Sequence, residues 1–134
     1  MPADLIGRAE RVFTELEASS DSSLLLHGDV HHANILLSDE RGWVIIDPKG
    51  IVGDRGYEVG PFMLNRLPSG ASASETLAIF TERLCVFTEE LKIDGKRLAR
   101  WAFCHAVLSA LWDVEEDAEW QGTIRLAQLL ERLG

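Results

Sequence analysis

The sequence has 134 residues, 46% of them hydrophobic, which is enough to bury one core but too few for two ordinary domains. Its 13 Lys and Arg residues against 22 Asp and Glu residues give a formal net charge of −9. This balance is the reverse of the basic surface that binds a nucleic-acid backbone. We therefore expect one domain over residues 1–134 and no nucleic-acid partner.

The two cysteines and the N-terminal segment indicate the compartment. Cys85 and Cys104 lack the CxxC spacing of a zinc site and do not suggest a disulfide framework, so we expect both to be buried and reduced. Charged residues interrupt the N-terminal segment, and no apolar run approaches the length needed to cross a bilayer. The sequence predicts a cytoplasmic protein without a membrane partner.

Helical spacing of apolar residues dominates the chain. The first helix is predicted over 4–18, with Asp4 capping its first turn. Four more helices are predicted at 57–67, 74–91, 96–116 and roughly 119–133, the second of these four opening with a Ser/Thr-type cap.

Short apolar runs between the first two helices are typical of strands. One is 24–26, and two more, 35–37 and 43–46, flank the turn-rich residues 38–42 and predict a β-hairpin. The Gly- and Pro-containing segment after Asp47 is predicted to be an ordered but irregular loop. The predicted fold class is α+β, mostly helical, with one small hairpin.

The residues suited to chemistry surround this hairpin. Asp29 precedes Asn34 by five residues, the spacing of the kinase pattern H-R-D-L-x-x-x-N, and Asp47 follows the second hairpin strand. Phosphoryl transfer needs a carboxylate that orients and deprotonates a hydroxyl, together with hard oxygen ligands for magnesium. Asp29, Asn34 and Asp47 match these needs.

The segment HGDVHHANILL at 27–37 resembles the HGD-x-H-x-x-N catalytic loop of the aminoglycoside phosphotransferase family, whose fold is protein-kinase-like. Segments 47–66 and 100–117 are similar to the streptomycin and hydroxyurea kinase branch. The resemblance covers nearly all of the chain after about Leu24. It implies the C-terminal lobe of that fold and an activity that transfers phosphate from ATP to a small, aminoglycoside-like molecule.

The resemblance also implies roles for individual residues. Asp29 becomes the catalytic base, and Asn34 and Asp47 become Mg²⁺ ligands that also touch the ATP phosphates. His31 stands where protein kinases carry a Lys, which predicts a contact to the transferred phosphate. Lys49 is close enough in the chain to reach the acceptor or a phosphate, and a solvated loop lysine is the alternative.

Two further positions are expected to support the loop. His27 is expected to be architectural. Glu58 stands where many relatives carry an Asp that holds the catalytic loop through backbone hydrogen bonds, and its side chain is one carbon longer.

A cationic small-molecule substrate is predicted to bind at the end of the 96–116 helix. Carboxylates beside indoles hold ammonium and guanidinium groups by charge-assisted hydrogen bonds and cation–π contacts. The predicted residues are Trp112, Asp113, Glu115 and Glu116. The alternative is an ordinary solvated helix end.

Two rival functions remain open. His27, Asp29, His31 and His32 could instead form a hydrolytic metal site, although His105, on an apolar helix face, is more consistent with a core residue than with a further ligand. Neither a Gly-rich loop nor a P-loop is present, so an N-terminal ATP-binding lobe is expected to be absent. We therefore expect weak or no activity for this chain alone, with a separate N-lobe or a homodimer mate as partner, or else a non-catalytic assembly module.

Overall fold

The computed structural model describes residues 1–134. Five α-helices are present: α1 Ala3–Ala18, α2 Val59–Leu64, α3 Ala73–Leu91, α4 Gly95–Glu115 and α5 Gln121–Glu131. Four short strands lie between α1 and α2: β1 Leu24–Leu26, β2 Ile35–Ser38, β3 Gly42–Ile45 and β4 Ile51–Gly53. The mostly helical α+β class is confirmed.

Helix α4 is the centre of the hydrophobic core. It is apolar on nearly all sides, and all four other helices pack against it. Its buried small residues Ala102, Ala106 and Ala110 let neighbouring helices approach closely, while Trp101 and Phe103 fill the larger gaps. A helix that is apolar all round has to be covered on all sides, and this explains its central position.

Helix α1 lies along α4 and buries Leu5, Ala9 and Leu16. The predicted capping role of Asp4 is wrong. The helix begins at Ala3, so Asp4 falls within the first turn, where its carboxylate pairs with Arg8 four residues on at 2.5 Å.

Helix α2 is shorter than predicted. The 57–67 helix is replaced by a 3-10 turn, Arg55–Glu58, followed by α2, which ends at Leu64. The guanidinium of Arg83 explains this end, because it donates to the backbone carbonyls of Phe62 and Met63 at 2.9 Å and of Asn65 at 2.8 Å. These carbonyls would otherwise lack partners at the helix end.

Local capping fixes the starts of α3 and α4. Ser72 forms a reciprocal capping box with Glu75 and confirms the predicted Ser/Thr cap. Helix α4 starts one residue earlier than predicted, after Asp94, whose side chain accepts the N–H of Arg97. The last helix is shorter than the predicted 119–133 span.

The strands form two separate antiparallel pairs. The predicted hairpin is confirmed as β2–β3, with Ile35 opposite Ile45 and Ser38 opposite Gly42. The prediction of irregular structure after Asp47 is wrong for residues 51–53, because β4 pairs with β1 from Leu24↔Gly53 to Leu26↔Ile51. This second pair brings the two ends of the segment between Leu26 and Ile51 together.

The buried Asp54 connects the paired strands to the helices. It accepts the N–H of Gly56 at 2.7 Å and a guanidinium N–H of Arg97 from α4 at 2.5 Å. Burial raises the pKa of the Asp54 carboxyl, but the Arg97 and Gly56 hydrogen bonds outweigh it and hold the pKa below its ordinary value. The carboxylate therefore fixes the chain just beyond β4.

The two cysteines differ in environment. Cys104 is buried, where it contacts the carbonyl of Ala9, and burial raises the pKa of its thiol to about 12. Cys85 is exposed on α3, so its predicted burial is wrong. None of the helices is both long enough and apolar enough to cross a bilayer.

Candidate functional site

The turn after β1 depends on the backbone conformation of Gly28 and on the hydrogen bonds of His27. Gly28 has a φ of 84°, a conformation that side chains rarely tolerate. The Nδ1 atom of His27 accepts the N–H of Asp29 at 3.2 Å, so its Nε2 carries the proton and donates to the carbonyl of Ile46 at 2.7 Å. His27 thus links the turn to the end of the hairpin.

Glu58 holds the same turn from the other side. Its two carboxylate oxygens accept the N–H of Gly28 at 3.1 and 3.3 Å. The longer side chain does reach the loop, and the support expected from the sequence is present in the structure.

Asp29, His31 and Asn34 lie together within this turn. The Asn34 side chain is buried and donates from Nδ2 to the backbone carbonyl of Asp29 at 2.9 Å. The same Nδ2 lies 3.2 Å from Nε2 of His31, which in turn lies 3.7 Å from the carboxylate of Asp29. The Asn34 amide therefore fixes the backbone from which the Asp29 side chain extends, and its Oδ1 accepts no hydrogen bond from the protein.

Asp47 and Lys49 complete the group from the far end of the hairpin. Asp47 follows β3 with a φ of 58°, a strained value for a residue with a side chain. The ammonium of Lys49 lies 3.5 Å from the Asp47 carboxylate and 3.8 Å from that of Asp29. Residues 29, 31, 34, 47 and 49 therefore form one continuous row of contacts.

This row fits a hard divalent cation. The Lys49 ammonium shows that a positive charge is accommodated between the carboxylates of Asp29 and Asp47. Mg²⁺ is usually bound through one or two carboxylates, with water and phosphate oxygens as the remaining ligands. The Asp47 carboxylate and the amide oxygen of Asn34 supply part of such a donor set, whereas a dedicated protein cage would need more ligands.

Asp29 also lines a cavity of about 470 Å³, here called the Asp29 cavity. Its polar lining consists of Asp29, His31, Asn65, His105, Ser109 and Thr123, and Trp112 is among its apolar lining residues. Asp29 thus lies between the Lys49 ammonium and the Asp29 cavity, which is large enough for a small molecule.

The predicted substrate residues are only partly brought to this cavity. Trp112 lines it, and the Asp113 carboxylate accepts the hydroxyl of the lining residue Thr123 at 2.7 Å. Glu115 and Glu116 are exposed at the end of α4 and are not among the lining residues, so the structure does not group them with Asp29.

Sequence reasoning missed several lining residues. His105 and Ser109 are four residues apart on α4, and Trp112 follows three later, so the three share one helix face. That spacing was a readable signal. Asn65 and Thr123 come from the end of α2 and from α5, and only the fold brings them to the cavity.

The histidines proposed for a hydrolytic metal site do not converge on one point. His27 is bonded to Ile46, and the ring of His32 stacks on Phe62 at 4.2 Å while its Nδ1 lies 3.0 Å from Asn65. Burial lowers the pKa of His32. No group of three or more His, Cys, Asp or Glu side chains is arranged to hold a metal ion.

Several known proteins are similar to this chain. A family model described as "Aminoglycoside/hydroxyurea antibiotic resistance kinase" matches residues 3–117. Streptomycin 6-kinase of Streptomyces glaucescens is 30% identical over 92 residues, which cover 69% of this chain and 30% of that protein. Streptomycin 3''-kinase of Klebsiella pneumoniae is 33% identical over 108 residues, covering 78% of this chain and 40% of that protein.

A third relative extends the range of named substrates. Hydroxyurea phosphotransferase of Kitasatospora aureofaciens is 30% identical over 99 residues, covering 74% of this chain and 27% of that protein. The chain therefore spans about a third of the length of these relatives. No solved structure matches it.

Proposed function

The chain belongs to the family of aminoglycoside/hydroxyurea antibiotic resistance kinases, and on this premise we propose that it transfers a phosphoryl group from ATP to a hydroxyl of a small aminoglycoside-like molecule. The relatives' names include streptomycin and hydroxyurea. A formal charge of −9 favours a cationic acceptor through long-range attraction.

The observation that carries this proposal is the position of the Asp29 carboxylate. Asp29 lines the Asp29 cavity, and its carboxylate lies 3.8 Å from the Lys49 ammonium, which also contacts Asp47. An acceptor in the cavity and a phosphate near Lys49 would therefore meet at this carboxylate. Phosphoryl transfer depends mainly on such positioning and on charge stabilisation.

In the proposed reaction, Asp29 orients the acceptor hydroxyl and takes its proton. The hydroxyl oxygen then bonds to the γ-phosphorus of ATP, the bond from that phosphorus to the bridging oxygen breaks, and ADP leaves with the electron pair. We expect Lys49 and His31 to contact the transferred phosphate, because they lie 3.8 and 3.7 Å from the Asp29 carboxylate. The Asn34 amide keeps the Asp29 backbone in position.

Asn34 and Asp47 are proposed to hold Mg²⁺. When bound, the ion supplies neutralisation of the phosphate charge. Asp47 is open to solvent, with a side-chain exposure of 67%, and its carboxylate contacts only the Lys49 ammonium. It is therefore free to bind a cation, and Lys49 is free to exchange this contact for a phosphate.

We propose that activity is weak unless further nucleotide contacts are supplied. The segment 1–134 contains no Gly-rich phosphate loop, and it corresponds to only part of its relatives. A separate N-terminal lobe or a second copy of the chain could supply these contacts.

The test is ATP-dependent phosphorylation of streptomycin, followed by mass spectrometry of the product. We expect Asp29→Asn to lower the rate by about a hundredfold or more, since the amide cannot accept the proton. Asp39→Asn, the same change in the exposed hairpin turn, should leave the rate unchanged. Equal rates in wild type and Asp29→Asn would contradict the assignment of the base.

One observation favours a second candidate, a non-catalytic assembly module. On the hairpin, Trp43 and its cross-strand partner Leu37 are 72% and 66% exposed. Apolar side chains grouped in this way mark surfaces that associate with another protein. In that case the chain would bind a partner through the hairpin without transferring phosphate.

A further inference from the structure

His105 is buried in the core helix α4, yet it lines the Asp29 cavity. Only 7% of its surface is exposed. Its Nδ1 is enclosed without any hydrogen-bond partner, and Nε2 is not among the enclosed nitrogens. Nε2 makes no hydrogen bond within the protein, so it is the ring nitrogen that a molecule in the Asp29 cavity can reach.

The ring is held rigidly in place. Tyr57 packs edge-on against it at 5.8 Å and Trp112 at 6.1 Å. Gly60 lies against its other side, where even a single added carbon would come within 2.5 Å of the His105 Cβ. A side chain fixed in this way loses little conformational entropy when it binds a ligand.

The chemistry of the wall indicates what the imidazole would recognise. Burial lowers the pKa of His105 to about 4, opposed by the negative charge of Asp29, so the ring is neutral at pH 7. Asn65, Ser109 and Thr123 are also neutral hydrogen-bonding groups on this wall. Asp29 is the one carboxylate among the lining residues, and Trp112 offers an apolar ring face.

We propose that His105 is a specificity-determining residue that hydrogen-bonds through Nε2 to a hydroxyl or amide of the acceptor, beside the group that Asp29 deprotonates. This inference rests on the proposed function. It assigns selection of the acceptor to a wall of neutral hydrogen-bonding groups and to the Trp112 ring, and Glu115 and Glu116 have no direct part in it.

A matched pair of variants separates hydrogen bonding from shape. His105→Gln and His105→Met have side chains of equal length, but only Gln can hydrogen-bond at its end. The chain is titrated calorimetrically with streptomycin and, separately, with hydroxyurea. We expect His105→Met to weaken binding of the acceptor by about tenfold and His105→Gln to stay within about threefold of wild type.

Several outcomes would overturn the inference. Equal binding by both variants and wild type would do so, as would the absence of binding of either compound to wild type. If a variant fails to fold, as judged by circular dichroism, ¹⁵N spectra of the wild-type histidine rings decide instead. The His105 Nε2 signal should shift on addition of the acceptor, and an unmoved signal at saturation would exclude the contact.

These measurements do not depend on phosphate transfer. Binding that depends on position 105, together with equal phosphorylation rates in wild type and Asp29→Asn, would uphold this inference and contradict the proposed function. In an active preparation, His105→Met should raise KM for the acceptor about tenfold and leave KM for ATP unchanged. Normal acceptor kinetics in an active His105→Met variant would refute the inference alone.

Discussion

The carboxylate of Glu58 accepts the backbone N–H of Gly28 with both of its oxygens, at 3.1 and 3.3 Å. This contact joins the end of a 3-10 turn to the turn that carries Asp29, thirty residues earlier in the chain. A charged acceptor strengthens such a bond, so this side chain ties the turn that carries Asp29 to the helical core.

Glu58→Ala should leave the Gly28 N–H without its partner. We expect the free energy of unfolding, measured by urea denaturation, to fall by about 1–2 kcal/mol. We expect the phosphorylation rate to fall by a larger proportion, because the Asp29 side chain shifts from its position. Glu90→Ala, on the exposed surface of α3, is the control and should change neither quantity. An undiminished rate in Glu58→Ala would show that the turn is held by other contacts.

Gly60 is predicted to be intolerant of any side chain. A Cβ at this position would lie 2.5 Å from the His105 Cβ, an atom close to the backbone that cannot swing away. Gly60→Ala should therefore destabilise the protein by at least about 2 kcal/mol.

The matched control is Gly7→Ala within helix α1. There the nearest atom to an added Cβ is 3.9 Å away, so the change should stabilise the protein by about 0.5–1 kcal/mol. Thermal denaturation of both variants measures the difference. A Gly60→Ala protein as stable as wild type would mean that α2 and α4 are packed less closely than the structure shows.

Stability should fall with acidification because of His105. Burial lowers its pKa to about 4 in the folded protein, whereas in the unfolded chain the pKa is near the ordinary value of 6.5. Below pH 6.5 the unfolded chain binds a proton at His105 that the folded chain does not bind. The free energy of unfolding therefore falls between about pH 6.5 and 4 and levels off below about pH 4. The total loss is about 3 kcal/mol by linkage.

His105→Met should remove this part of the pH dependence. Urea denaturation of wild type and variant between pH 7.5 and 4 measures it. His32, whose pKa burial also lowers, contributes in the same direction in both proteins, so the difference between the two curves isolates His105. Parallel curves would contradict the buried, neutral state of this residue.

The exposed hairpin face is expected to drive association. Trp43→Thr keeps a residue suited to a strand and removes an indole that is 72% exposed. We expect a change in unfolding free energy below about 1 kcal/mol and a clear shift towards monomer, measured by sedimentation at several concentrations.

Val86→Thr is the control for that experiment. Val86 is 55% exposed on α3, and replacing one of its methyl groups with a hydroxyl should not alter the sedimentation profile. A wild-type protein that is monomeric at every concentration would count against self-association through the hairpin, and would leave a different partner as the occupant of this face.

The sequence predicted what depends on local pattern. Helical periodicity located all five helices, and the alternation of apolar runs and turn residues located the β2–β3 hairpin. The strand at 24–26 was predicted, but its partner β4 was not, because three residues that include a glycine give no periodic signal. The early end of α2 depends on Arg83, about twenty residues later in the chain, and local propensity cannot report such a contact.

The candidate site also contains residues that local spacing predicted and residues that only the fold brings together. Spacing predicted Asp29, Asn34 and Asp47 as site residues, because one short turn and one hairpin separate them in the chain, and the structure brings them into one row of contacts. The cavity wall was not found, because His105, Asn65 and Thr123 come from three different helical regions. His105 was read as a core residue, and it is buried, but its burial is at the wall of the Asp29 cavity.

The short β1–β4 ladder has a consequence for how the protein would lose function on heating. Three paired residues on each strand close a loop that contains Asp29, Asn34 and Asp47, while the helices are held by a separate and much larger core. Small units of structure open at lower free energy than the whole. Breaking this one ladder would displace all of the proposed phosphate-facing groups at once. Phosphorylation activity would therefore be lost on heating before the helices melt.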